Sequence, residues 1–330
     1  MKNSSSEKKI SNMATVARTL ALISIVSAHI IFTQTTPLWI SEIYKLLAPV
    51  GVVTYFIISG YYYHIDKYGS FFYVLKKKLK TIGIPWLVLG SIGYFYNAIL
   101  SKDISIVSYL KFILGNGSYL YFLLMLFLCF IIFYFFKSKI FCIVAILLNI
   151  LSLELTAMGV LEPVTKALHI TDYLNIFNWI GFFAFGVLLQ RVDTDKLYNA
   201  VKKLRVLSIM VFVLLFVVLF ITKIKTGYFS YVGWIYEFIG AVAILAVSSF
   251  DFLNIKLIRK VSNDSFTVYL IHFMVIGVFD RLYNIALPLQ LFANIIVICI
   301  SFVAIELCMF ISKKIKIEKI VSVILGVRGR

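Results

Sequence analysis

Two residues in the first apolar stretch of the chain are of kinds that do chemistry, and they stand where such residues are rare. The stretch reads ARTLALISIVSAH, with Arg18 near one end and His29 at the other. Eleven positions at about 100° per residue make close to three whole turns. On a continuous helix both side chains then share one face, roughly 16 Å apart along the axis. A guanidinium suits the phosphates of an anionic ligand. An imidazole titrates near neutrality and serves as general base or nucleophile. Each has a bland counterpart. An arginine at the end of a membrane helix commonly snorkels and sets orientation, and a lone histidine is often only bonded to a neighbouring carbonyl. Titratable groups inside a membrane are nevertheless costly and mark sites or pathways. The expectation is a chamber built around this stripe.

Further candidates follow along the chain. Ser59 precedes Gly60 in the second apolar run, where a Ser-Gly pair serves close helix packing more often than chemistry. Lys76, Lys77, Lys78 and Lys80 cluster in YVLKKKLKTIGIP. They lie on the Arg18 side, where they set topology and could assist phosphate binding. The stretch could lie on the membrane surface as an amphipathic segment. Tyr269 and His272 fall in a late span, His272 roughly 12 Å deep by helical rise. They could line a ligand path or complete a core. Glu237 is costly in a span and is a candidate for the acceptor site. Glu154, Glu162 and Asp172 gather at the opposite face. They could bind a sugar or amine acceptor, although loops there are commonly acidic for solvation. Cys129, Cys142, Cys299 and Cys308 have no ligand-like spacing and read as small buried residues. No Walker, G-x-G-x-x-G, H-E-x-x-H, G-x-S-x-G or paired-cysteine motif is present, so ATP-driven transport, a Rossmann cofactor and zinc proteolysis lack support. No metal is expected.

The elements that must position these residues are membrane helices. The chain is 62% hydrophobic and 14% charged, against roughly 45–50% and 25% in soluble domains. Apolar runs long enough to span a bilayer fall near 13–34, 44–64, 82–101, 118–136, 139–157, 173–190, 204–222, 230–250, 265–287 and 291–312. Ten spans put both ends on one side, and that side receives 25 of the 32 Lys and Arg residues. By the positive-inside rule both termini are cytoplasmic. The net charge of +17 is thus mostly topogenic, with some attraction for anionic lipid headgroups, and implies no nucleic acid. The reading is an all-α polytopic bundle of about ten transmembrane helices in the cell membrane. It forms one domain over 1–330, with a disordered cytoplasmic tail at 1–12 and a basic one at 313–330. Pro49 and Gly51 predict a break in the second span, Pro85 opens the third, and the partly apolar stretch between the third and fourth predicts a short helix. No internal repeat is evident, which weighs against inverted-repeat transporters.

The order of these features resembles the acyltransferase-3 family of membrane acyltransferases. The Arg18/His29 pair, with ten residues between, is similar to that family's first-span hallmark. YFIISGYYY at 55–63 resembles its second-span motif with one extra residue before the SG. KKKLKTIGIP at 76–85 resembles its basic connection, with lysines where arginines are common. SYLYFL at 118–123 resembles its fourth-span motif with the tryptophan replaced. NWIGFFAFGVLL and SNDSFTVYLIH resemble later ones. The resemblance implies transfer of an acyl group, usually acetyl, from cytosolic acyl-CoA to a hydroxyl of an extracytoplasmic or membrane-linked glycan, with Arg18 and His29 as the functionally required pair. On that reading acyl-CoA is the donor. Arg18 with Lys76, Lys77 and Lys80 would hold its phosphates, Ser59, Tyr269 and His272 would line its path, and Glu237, Glu154 and Asp172 would meet the acceptor. His29 would act as base or as acyl carrier. Polysaccharide or small-molecule export, and a non-catalytic role beside a glycan synthase of the cell envelope, are the alternatives.

Overall fold

A computed structural model describes residues 2–64, 70–102 and 104–327, and among them there are helices and turns but no strands. In chain order the helices are α1 (Lys2–Ser27), α2 (Leu38–Leu47), α3 (Val50–Tyr61), α4 (Phe71–Lys78), α5 (Ile84–Ser101), α6 (Ile106–Ile113), α7 (Tyr121–Phe135) and α8 (Lys139–Ala157). They continue as α9 (Glu162–Ala167), α10 (Ile180–Leu189), α11 (Thr194–Thr222), α12 (Gly233–Val247), α13 (Lys256–Tyr283), α14 (Leu287–Leu291), α15 (Ala293–Lys314) and α16 (Glu318–Leu325). Seven helical stretches are long and apolar enough to cross a membrane, and three shorter apolar helices, α7, α10 and α12, stand with them.

α1 is the hub. It packs against α3, α11, α12, α13 and α15, and Val16, Ala17, Ala21, Leu22 and Val26 are fully buried. A helix apolar on all sides needs such company. The rim is the reverse. Leu204, Val206, Leu207, Met210 and Leu214 of α11 are exposed, as a lipid-facing helix requires.

The expected break in the second span is present. Pro49 supplies no N–H, and α2 stops at Leu47 before α3 starts at Val50. The Ser24 hydroxyl of α1 donates to the freed carbonyls of Leu47 (2.5 Å) and Ala48 (3.3 Å). Ala48 and Pro49 keep right-handed helical dihedrals, so the break is a kink whose freed carbonyls a neighbouring helix satisfies. The short helix between the third and fourth spans is α6. Trp86 Nε1 anchors it by donating to the Ile113 carbonyl at 3.0 Å.

Four expectations need correction. The first span does not run to residue 34. α1 ends at Ser27, where Ala28 and His29 make three-residue bonds to Ile25 and Val26 that tighten the last turn. The Ser27 hydroxyl is fixed between the Ile23 carbonyl and Asn294 Nδ2. The tail at 1–12 is not disordered over its described part. The helix starts at Lys2, Ile10 and Met13 pack on Tyr198 of α11, and Lys9 Nζ lies 5.1 Å from the Tyr198 ring centre. The sixth span shortens to α10, because Asn178 is tied to α8 by Ser152 and holds its approach in two 3₁₀ turns. The ninth span begins earlier, at Lys256, and makes the polar stretch KVSNDS helical.

Cys129 and Cys142 are buried as expected, whereas Cys299 and Cys308 lie exposed on the outer face of α15. The basic C-terminal segment folds back through α16. Thr267 of α13 donates to the Leu325 carbonyl, and Gly326 packs near Phe266 and Pro85. Residues 328–330 of that tail lie outside the described residues.

Candidate functional site

The bundle holds two partly open cavities that share part of their lining. The first, about 330 Å³, is lined by Arg18, Ser59, Tyr62, Lys78, Ser262, Asn263, Ser265 and Gly326 among others. The second, about 580 Å³, is lined by His29, Asn97, Ser118, Tyr119, Tyr121, Thr171, Tyr173, Tyr228 and Phe273 among others. Ile25, Phe122 and Tyr269 line both and form the neck. α1 therefore carries a cation on one side of the neck and leads to an imidazole on the other.

The cationic end is built from α1, α3, the α4–α5 junction and the start of α13. Arg18 lies over the Tyr62 ring at 5.6 Å, and its carbonyl accepts from the Tyr55 hydroxyl at 3.0 Å. Lys78 Nζ rests 3.4 Å from the Phe130 ring centre and 5.5 Å from that of Tyr63. Aromatic faces pack against both cations. Lys76, Lys77 and Lys80 are exposed and do not line this cavity, which corrects the sequence expectation. The reason is helical period. Lys78 follows buried Val74 by four residues and shares its inward face. The π-helical turn Leu79–Gly83 then carries Thr81 and Ile82 inward.

The imidazole end depends on α13. His29 stands two positions past the end of α1, so Arg18 and His29 do not share a helical face. They share the cavity system instead. The His29 ring sits among aromatic neighbours, with centroid separations of 5.2 Å to His272, 5.1 Å to Phe273 and 6.3 Å to Tyr119. The turn that carries it is pinned by the end of α13. Asn284 Nδ2 donates to the Ile31 carbonyl at 2.9 Å, and the Ile31 amide donates to the Tyr283 hydroxyl at 3.4 Å. Tyr119 and α13 hold each other reciprocally. The Tyr119 hydroxyl donates to the Leu270 carbonyl at 2.8 Å, and the Tyr269 hydroxyl donates to the Tyr119 carbonyl. Tyr269 thus lines both cavities. His272 does not line either cavity. It is fully buried beneath His29, with Nδ1 bonded to the Tyr269 carbonyl.

The acidic candidates separate. Glu154 accepts from the Trp234 indole and ties α8 to α12 outside both cavities. Asp172 opens a 3₁₀ turn, and its neighbours Thr171 and Tyr173 line the wide cavity while it does not. Glu162 is fully exposed, and the Lys166 ammonium 2.6 Å away holds its carboxyl below the usual carboxylate range. Glu237 is 0% exposed with no hydrogen bond to either carboxyl oxygen. It does not reach the wide cavity, but it interacts electrostatically with Tyr121, Tyr173 and Tyr228, which do. Ser59 lines the cationic cavity as expected. Its neighbour Gly60 carries out the packing, since a Cβ there would meet the Phe183 carbonyl oxygen at 2.1 Å.

Sequence reasoning missed Ser262, Asn263 and Ser265, the polar wall of the cationic cavity, because KVSNDS read as a connection. It also missed Tyr119 and Phe273 around His29. Among the described residues no three His, Cys, Asp or Glu side chains gather in a group able to hold a metal ion. A family model described as an acyltransferase domain matches residues 14–312 of this chain. No curated protein and no solved structure matches it.

Proposed function

This chain belongs to the acyltransferase-3 family of membrane acyltransferases, and from that premise we propose that it moves an acetyl group from cytosolic acetyl-CoA to a hydroxyl of an extracytoplasmic or membrane-linked glycan. The observation that carries this reading is the pair of cavities, one cationic and one holding His29, joined at Ile25, Phe122 and Tyr269. Acyl-CoA is anionic at its nucleotide end and neutral at its thioester. Arg18 and Lys78 suit the phosphates, the narrower cavity suits the pantetheine arm, and the thioester reaches the neck. Seven long and three shorter apolar helices support a ten-pass topology in the cell membrane. The placing of the N-terminal helix and Gly326 at the Arg18 end, with the lysine and arginine bias, supports a cytoplasmic donor side.

In the reaction, His29 takes the proton from the acceptor hydroxyl as that oxygen bonds to the thioester carbonyl carbon. The C–S bond then breaks, and the leaving thiolate recovers the proton from His29. The products are an acyl ester and free CoA. The polar and aromatic lining of the wide cavity suits a sugar ring, with Glu237 behind its tyrosines.

The test is incubation of proteoliposomes with radiolabelled acetyl-CoA and a cell-envelope glycan extract. Wild type is expected to release CoA and label the glycan. His29→Ala is expected to lose at least 100-fold in turnover while still binding acetyl-CoA. Unchanged turnover in that variant overturns the role of His29. Absence of CoA release by wild type overturns the enzymatic reading in favour of export or a non-catalytic partnership.

A further inference from the structure

His272 is a fully buried titratable side chain that the proposed reaction leaves unused, and its hydrogen bonding is half complete. Its Nδ1 faces the Tyr269 carbonyl one helical turn back, and its Nε2 has no hydrogen-bond partner among the described residues. A carbonyl can only accept, so Nδ1 carries the hydrogen, and a neutral imidazole then holds its lone pair on Nε2. A buried acceptor left without a donor is costly, and the ring beside it belongs to His29, centroid to centroid 5.2 Å. Two imidazoles joined by an N–H···N bond of about 2.9 Å, with each nitrogen roughly 1.2 Å from its ring centre, stand about 5.3 Å apart. The present tilt between the rings is 43°. His29 sits on a turn beyond α1, so rotation of its ring completes the bond without moving a helix.

We infer that His272 is a positioning residue for His29: its Nε2 accepts the N–H of the His29 ring and so leaves the other His29 nitrogen, with its lone pair, to the wide cavity. The Tyr269 carbonyl fixes the tautomer of His272, and His272 fixes that of His29. Tyr119 and Phe273 restrict the tilt of the ring, being stacked on one another at 5.1 Å and 6°. The catalytic meaning of the arrangement rests on the acyl-transfer reading, but the hydrogen bond does not.

The experiment separates the two. Protein labelled with ¹⁵N-histidine is placed in lipid nanodiscs, and each of the four histidines is assigned by single substitution. Wild-type His29 is expected to show a single neutral tautomer. His272→Leu is expected to give a mixture, and His272→Gln, whose amide oxygen can accept in place of Nε2, is expected to restore the single form. In the acetyl-CoA assay His272→Leu is expected to lower kcat about 10- to 100-fold with little change in KM, and His272→Gln to recover most of it. A mixed tautomer in wild-type His29 overturns the inference without any variant. So does an unchanged single tautomer in a folded His272→Leu protein. If wild type shows no turnover but the tautomers follow this pattern, the acyl-transfer reading fails and the positioning contact stands.

Discussion

At the residue scale the proposed reaction assigns binding to a cation and reaction to an imidazole, and two such roles separate in kinetics. Arg18 and Lys78 are held against aromatic faces, in a cavity distinct from that of His29. Arg18→Gln is expected to raise the KM for acetyl-CoA about 10- to 100-fold, the loss of one or two charge-assisted hydrogen bonds, with a much smaller effect on kcat. Lys76→Gln, on the exposed face of α4, is expected to leave KM within about twofold, as surface charges do. Steady-state kinetics on the three proteins decides it. An equal rise in both variants would return the lysine cluster to the site as a whole. Arg18 and His29 were legible because charge and imidazole are conspicuous in an apolar run. Lys78 could not be told from its neighbours, because the inward face of so short a helix depends on the π-helical turn that follows. Phe273 was hidden among 30 Phe, where aromatic identity carries no positional signal, while Tyr119 stood in the SYLYFL motif with no role read for it.

At the element scale the bundle depends on close crossings. α3 and α10 meet backbone to backbone. A Cβ on Gly186 would lie 2.1 Å from the Ile57 carbonyl oxygen, the mirror of Gly60 against Phe183. Neither obstacle is a flexible side chain, so the helices themselves must separate. Gly186→Ala is expected to cost roughly 1–3 kcal/mol or more through overpacking. It is read as a fall in the melting temperature of the detergent-purified protein, with loss of the Ser59 wall of the cationic cavity. An unchanged melt would show that α3 and α10 can part freely. The break at Pro49 and the packing role of Ser-Gly were legible, since proline and glycine act through local backbone rules, whereas Pro85 does not start a helix: α4, the π-helical turn and α5 run as one helical stretch over Phe71–Ile99. The true ends of α1, α10 and α13 were not. Partners far along the chain set them: Asn294 for Ser27, and Ser152 for Asn178.

At the scale of the whole molecule, an all-helical membrane bundle was legible from hydropathy, and a chamber around the first span from its arginine and histidine, in keeping with the packing of α1 against five other helices. What hydropathy cannot show is that the interior is divided. Ile25, Phe122 and Tyr269 separate the cavities, and Phe122 is buried with ring centres 5.1 Å from Phe56 and 5.5 Å from Tyr269. This neck has an electrical consequence. Where polar vestibules enter a membrane from both sides, the transmembrane potential falls mainly across the thin layer left between them, and each elementary charge moved through it costs about 2.3 kcal/mol per 100 mV. In the proposed reaction a neutral acyl group would cross that layer without electrical work, while the phosphates of its carrier would stay on the side where they bound. The neck would then act as an insulator that passes carbon and holds back charge. Phe122→Ala is expected to raise the proton leak of energised proteoliposomes above that of wild type, and Phe122→Leu to keep the membrane tight.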